Sequence, residues 1–149
     1  MDASRRIVVG VDGSDSSLRA LSWAARQAEL TGFVLQAVTV WSYPDQPTPF
    51  GIVPDLRQPG RAVSEARRRL EEVTAAERSH HHLGELRTDV VDGTPAAVLV
   101  EAATGAELLV VGSRGRGALM GMLLGSVSEH CVRHAPCPVV VVRSEDDAV

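Results

Sequence analysis

Val110-Val111-Gly112-Ser113-Arg114-Gly115-Arg116-Gly117-Ala118-Leu119-Met120-Gly121-Met122-Leu123-Leu124-Gly125-Ser126-Val127 is the stretch whose reading decides the fold. It begins in the apolar run Leu108 to Val111, which suits a buried strand. It ends where Ser126 to His134 reads as a short helix. Five glycines lie between Gly112 and Gly125. Backbone without Cβ atoms turns tightly and approaches a ligand closely. Bare N–H groups in such a loop, followed by the start of a helix, make an anion site. Arg114 and Arg116 add positive charge there. The expectation is a phosphate cradle between a strand and a helix.

Two known phosphate loops do not fit. A Walker A loop needs a lysine before Ser or Thr, and all 15 basic residues here are arginine. The dinucleotide fingerprint belongs to the first strand–helix turn of its fold, whereas these glycines come late in the chain. Glycines alone would also suit a ligand-free turn. The strand, the arginines, the spacing and Ser126 together favour nucleotide binding.

Outward from this stretch the pattern is regular. Arg6 to Val11 is a Val- and Ile-rich run closed by Asp12-Gly13-Ser14, a buried strand and a tight turn. A helix from about Asp15 to Thr31 sets Leu18, Leu21, Ala25 and Ala28 on one face. Ser14 or Asp15 caps its start and Gly32 ends it. Phe33 to Trp41 is the second strand. Ser42 to Gly60 carries Pro44, Pro47, Pro49, Pro54 and Pro59 and is expected to hold no regular element. A stretch of that length is either a lid over a cleft or a surface insertion. Arg61 to Arg78 is amphipathic: Val63, Ala66, Leu70 and Val73 form its stripe, and Glu65–Arg69, Arg67–Glu71 and Arg68–Glu72 pair on the solvated side.

Leu86, Thr88 and Val90 alternate with Glu85, Arg87 and Asp89, as in an edge strand guarded by charge. Thr94 caps, and Pro95 opens, a helix running to about Thr104. Leu108 to Val111 is the fourth strand. Ser126-Val127-Ser128-Glu129 matches a capping box with Ser126 as the cap. Pro138 to Arg143 is the fifth strand, with proline tolerated at its start. Ser144 to Val149 is an acidic tail expected to fray. Strand and helix alternate throughout, which implies the α/β class: a five-stranded parallel sheet with helices on both faces.

Length and composition bound the function. With 149 residues, 44% hydrophobic and 23% charged, the chain reads as one ordinary domain, residues 1–149. A net charge of −4 speaks against nonspecific nucleic-acid binding. No 18-residue apolar run appears, and Met1 to Arg6 shows no apolar leader, so neither a membrane span nor export is expected. Cys131 and Cys137 make no disulfide framework. The chain reads as cytoplasmic. His80-His81-His82 lacks a further ligand at metal-site spacing. His130 and His134 lack the glutamate of a zinc-protease helix, and Cys131 points off their face. No metal site is expected.

Ligands of open parallel sheets bind at the carboxyl ends of the strands, where strand order reverses. The end of the first strand (Gly10, Val11, Asp12) should therefore meet the loop after the fourth (Gly112 onward). A carboxylate repels phosphate but accepts hydrogen bonds from hydroxyls, so ribose is placed at Asp12 and the phosphates at Gly112 to Ser126. Asp12 can also complement the dipole of the first helix. The backbone near Val40 can hydrogen-bond adenine.

These residues carry a resemblance. The spacing Gly112, two residues, Gly115, nine residues, Gly125-Ser126 resembles the ATP-binding signature of the universal stress protein family. So do Ile7-Val8-Val9-Gly10-Val11-Asp12-Gly13-Ser14, Leu109-Val110-Val111-Gly112-Ser113-Arg114-Gly115, Gly125-Ser126-Val127 and Cys137-Pro138-Val139-Val140-Val141-Val142. The resemblance implies a three-layer, doubly wound sheet of strand order 3-2-1-4-5, adenine nucleotide alpha hydrolase-like. It implies ATP bound without a P-loop, accompanied by Mg2+ or Mn2+, with AMP or cAMP as alternative ligands. The expected nucleotide site is Gly10, Val11, Asp12, Val40, Gly112, Ser113, Arg114, Gly115, Gly125, Ser126 and Val127. Gly10 departs from the proline of some ATP-binding members.

The resemblance also implies a homodimer, and the fifth strand supports one independently. Val139, Val140, Val141 and Val142 have no charge or proline to blunt an edge, and a two-fold partner would cover them. The function expected is a nucleotide-binding regulatory protein of the stress response that reports to an unknown protein partner. At most slow ATP hydrolysis is expected, since no pair of titratable groups is arranged for fast chemistry. An adenylyl transferase would want a Ser-Gly-Gly loop where Val11-Asp12-Gly13-Ser14 stands, and a phosphorylated receiver domain would need a lysine. A nucleotide-free dimeric scaffold is the remaining alternative.

Overall fold

Ile7, Val8 and Val9 are apolar on every side, so the strand they build must be covered on both faces. That strand, β1 (Arg6–Gly10), lies at the centre of a five-stranded sheet, and the three residues are at most 1% exposed. The computed structural model of the chain describes residues 5–41, 45–49, 51–54, 59–115 and 123–145. Arg116, residues 1–4, the tail beyond Glu145 and parts of the proline-rich stretch, all invoked above, lie outside the described residues.

In chain order the elements are β1, α1 (Asp15–Thr31), β2 (Val34–Trp41), β3 (Asp45–Thr48), β4 (Gly51–Pro54), α2 (Pro59–His80), β5 (Leu86–Asp92), α3 (Pro95–Ala102), β6 (Leu108–Gly112), α4 (Ser126–His134) and β7 (Val139–Val142). The large sheet runs β5-β2-β1-β6-β7, with every pairing parallel. Counting only its own strands, the order is 3-2-1-4-5. Registers are direct: Ile7 lies beside Leu35 and beside Leu108, and Val110 beside Val140.

Strand residues alternate between two cores, as a period of two requires. Ile7, Val9, Leu35, Ala37 and Val110 pack against α1 and Leu70 of α2. Val8, Val38, Leu109 and Val111 pack against Leu99 and Ala103 beside α3 and Cys131 of α4. The α1 face toward the sheet is built of Ala20, Leu21, Ala24, Ala25 and Ala28, small residues that let helix and sheet approach closely. Ser14 caps α1 through the Ser17 N–H, and Gly32 closes it at φ 75°, a left-handed conformation that suits glycine. On the solvated side of α2, Arg69–Glu65 and Arg68–Glu72 close at 2.7 Å. Arg68 also reaches Glu65 at 3.9 Å.

Three expectations are corrected. The proline-rich stretch does hold regular structure: β3 and β4 form an antiparallel hairpin in which Pro47 lies opposite Ile52 and Pro54 opposite Asp45. Each strand of an isolated ribbon has an open edge, and there a missing N–H breaks no ladder bond. Helix α2 starts at Pro59 rather than Arg61, since proline at a first helical position forfeits only an N–H that has no partner. Ser126 is not the cap of α4. Gly125 takes that position with extended backbone, φ −73° and ψ 168°, and Ser126 is already helical. Among the described residues no helix is long and apolar enough to cross a membrane.

Candidate functional site

The strand order reverses beside β1, whose neighbours are β2 and β6. A crevice opens there at the strands' carboxyl ends. Its first wall is the turn from β1 into α1. The Val11 N–H donates to the Val38 carbonyl at 2.9 Å, and the Thr39 hydroxyl donates to the Val11 carbonyl at 2.8 Å. The turn is thus tied to β2. The Asp12 N–H donates to Ser17 Oγ at 3.3 Å. One carboxylate oxygen of Asp12 accepts the Ser14 N–H at 2.9 Å and the Ser14 hydroxyl at 2.5 Å. These bonds fix the carboxylate's orientation while Asp12 itself stays exposed.

The opposite wall begins where β6 ends. Ser113 donates its N–H to the Val142 carbonyl at 2.8 Å. Its carbonyl accepts the Gly125 N–H at 2.7 Å and the Ser128 hydroxyl at 2.9 Å. One residue thereby fastens the glycine loop's exit to β7 and its re-entry to α4. Gly115 lies against Asp12 so closely that a Cβ there would stand 2.7 Å from Asp12 Oδ2. Gly125 offers no side chain to cap α4. The first-turn N–H groups of Ser126, Val127 and Ser128 therefore have no intrahelical acceptor. They present the positive end of the helix dipole.

Between these walls lies a cavity of about 350 Å³. Asp12, Ser14, Gly115 and Ser126 make its polar side, and Val38, Val40, Pro95 and Leu99 its apolar side. Helix α3 brings Pro95 and Leu99 to the cavity. Gly10 gives Leu99 room: a Cβ at residue 10 would come within 2.8 Å of Leu99 Cδ1.

Of the residues expected from sequence, Gly10, Val11, Asp12, Val40, Gly112, Arg114, Gly115, Gly125, Ser126 and Val127 all line this cavity. Ser113 does not; it is fully buried, and its main chain is bonded to β7 and α4. Sequence reasoning missed Ser14, Ser17, Val38, Pro95, Leu99, Val111 and Ser128, which line it as well. Ser14 and Pro95 were legible as helix starts, but no local pattern says which helix start faces a cleft.

Elsewhere, His81 Nδ1 lies 2.7 Å from Glu29 and its Nε2 lies 3.6 Å from Glu77, a link between α1 and the end of α2. The hydrogen bond from His81 holds the Glu29 carboxyl below its ordinary range. The His130 and His134 ring centroids lie 4.5 Å apart, with the planes tilted by 44°. Burial pushes the Cys131 thiol up to about 11 and raises Cys137 as well. Among the described residues no group of three or more His, Cys, Asp or Glu is placed to hold a metal ion.

The sequence matches the universal stress protein family over residues 3–143. A universal stress protein of Mycobacterium tuberculosis strain H37Rv is 37% identical over 151 residues, a match covering 96% of this chain and 49% of the relative. The chain therefore spans about half the length of the curated relatives it matches. Among solved structures, the fold is similar to that of a universal stress protein in complex with cAMP, with TM-score 0.71 and 30% identity over 93% of this chain and 96% of that one. It is also similar to the universal stress protein from Archaeoglobus fulgidus in complex with dAMP, with TM-score 0.68 and 25% identity over 93% and 97%.

Proposed function

Because the chain belongs to the universal stress protein family, we propose that its cleft binds an adenine nucleotide and that binding serves a regulatory role in the stress response. One observation carries this reading. The start of α4, whose N-cap Gly125 has no side chain, the oriented carboxylate of Asp12 and an apolar wall all line a single cavity of about 350 Å³. The N–H groups of Ser126, Val127 and Ser128, with Arg114 beside them, suit phosphate. Asp12 suits ribose hydroxyls, as an acceptor without a proton to give. Val38, Val40, Pro95 and Leu99 suit the flat face of a base. Complexes of similar proteins with cAMP and dAMP support an adenine nucleotide. ATP is the ligand we favour, with Mg2+ or Mn2+ accompanying its phosphates; AMP and cAMP are the alternatives.

The test is thermal unfolding with ATP, AMP and cAMP, each against GTP. Ligand at a hundredfold excess over Kd stabilises by about 2.7 kcal/mol. For a chain of this size that raises Tm by about 5–10 °C. An unchanged Tm with every adenine nucleotide overturns the reading.

The protein is further proposed to act in the cytoplasm as a single-domain homodimer that reports to a protein partner. Among the described residues strand β7 pairs with β6 on one side only, and Val139 to Val142 are all half-buried. A second copy laying its own β7 alongside would satisfy that edge. Sedimentation equilibrium should then return twice the 15.9 kDa chain mass. A monomer at every concentration rules the dimer out.

A further inference from the structure

We propose that Ser16 positions the phosphate-binding turn of the cleft, by holding both the backbone N–H and the backbone carbonyl of Arg114 with one buried hydroxyl. Ser16 lies in the first turn of α1 and is 2% exposed. Its hydroxyl donates to the Arg114 carbonyl at 2.6 Å and accepts the Arg114 N–H at 3.4 Å. The cap of α1 is supplied separately, by Ser14 accepting from Ser17. Ser16 is therefore not needed to start its own helix; its bonds reach a residue 98 positions away.

What it holds matters for the ligand. Arg114 immediately precedes Gly115, which lies against Asp12, and a Cβ on Gly125 would stand 3.4 Å from both Arg114 Cα and Gly115 N. Fixing Arg114 thus fixes the loop's exit against both the Asp12 carboxylate and the start of α4. Gly112 makes the grip possible, since a Cβ there would meet Ser16 Oγ at 2.4 Å. Without the hydroxyl the Arg114 carbonyl loses its 2.6 Å bond, and the Ser14 hydroxyl stands farther off, at 3.4 Å. The exit would then shift relative to α4. The phosphate end of the cleft should loosen while the apolar wall, built by β2 and α3, stays in place.

This inference rests on the nucleotide reading, and its test separates the two. Calorimetry with AMP and with adenosine on the full chain reads the phosphate end and the base end apart. Ser16→Ala should weaken AMP about tenfold, the equivalent of one buried hydrogen bond to the loop, and leave adenosine unchanged. Ser16→Thr, which keeps the hydroxyl, should restore AMP affinity. Ser22→Ala serves as control, because Ser22 also makes a hydroxyl bond from α1, an exposed one to Glu77 at 2.5 Å, away from the cleft; it should change neither ligand. Equal loss of AMP and adenosine in Ser16→Ala, or no loss, overturns the positioning role. Failure of the wild-type chain to bind either ligand overturns the nucleotide reading itself, and the inference with it. If Ser16→Ala does not fold, amide exchange in the wild-type chain decides: the Arg114 N–H should be protected without ligand, and free exchange there refutes the grip.

Discussion

Gly112→Ala is expected to lower Tm by about 6–12 °C, the equivalent of roughly 3 kcal/mol for a domain of this size. The added Cβ would meet Ser16 Oγ at 2.4 Å and, more seriously, Ser16 C and Ser17 N at 2.7 Å. A side chain can swing away from an intruding methyl group; helix backbone cannot. Either the first turn of α1 lifts from the sheet or β6 bends away from it. Both movements disturb Asp12 and Arg114, so nucleotide affinity should fall with stability. Gly60→Ala is the matched control: Gly60 lies in α2 and a Cβ there meets nothing within 4 Å. It should stabilise by about 0.4–1 kcal/mol, by restricting the unfolded chain. Calorimetric unfolding of both variants checks the pair, and an unchanged Tm for Gly112→Ala would show that α1 does not rest on this glycine.

Ser126→Pro should do the reverse, sparing the fold and disabling the site. Ser126 is the first helical residue of α4, and Gly125 before it is extended at φ −73° and ψ 168°. That is the conformation a residue preceding proline prefers, and proline is favoured at a first helical position. Helix α4 should therefore persist. What disappears is the Ser126 N–H proposed to meet the phosphate, together with a serine hydroxyl of the cavity lining. Hydrogen bonds to charged groups contribute about 1.5–3 kcal/mol, so AMP affinity should fall by about 10- to 150-fold. Ser126→Ala removes the hydroxyl alone and should lose less. Competition binding on folded variants reads the difference. Wild-type affinity in Ser126→Pro would place the phosphate somewhere other than the start of α4.

Much of this architecture was legible because its determinants are local. Ile7 to Val9 and Leu108 to Val111 admit little but a buried strand, and Gly32 and Ser14 mark the ends of α1 by their own backbone chemistry. The cleft's two motif-bearing turns followed from the strand–turn–helix pattern at Asp12 and at Gly112. The failures share a different origin. Prolines 47 and 54 argue against a strand only where a neighbour lies on both sides, and pairing cannot be read from composition. The capping-box spacing at Ser126 was real, but Gly125 adopted the extended conformation first. Ser128 then turned its hydroxyl to the carbonyls of Ser113 and Gly125. Pro95 and Leu99 reach the cavity only because α3 crosses over the sheet, and Ser113 leaves it only because β7 and α4 claim its main chain. These are tertiary outcomes with no signature in a short window.

The central place of β1 also dictates when the cleft can exist. Ile7 to Val9 pair with Leu35 to Ala37 of β2, and on the other side with Leu108 to Val110. During translation the first three sheet strands can associate while the ribosome is still making the rest. Asp12 waits beside an empty flank until the closing third of the polypeptide emerges and docks. Distant pairings of this kind are slow to close, so ligand affinity should be among the last properties a newborn molecule acquires. A nucleotide that favours the finished form would then act as a late latch on maturation.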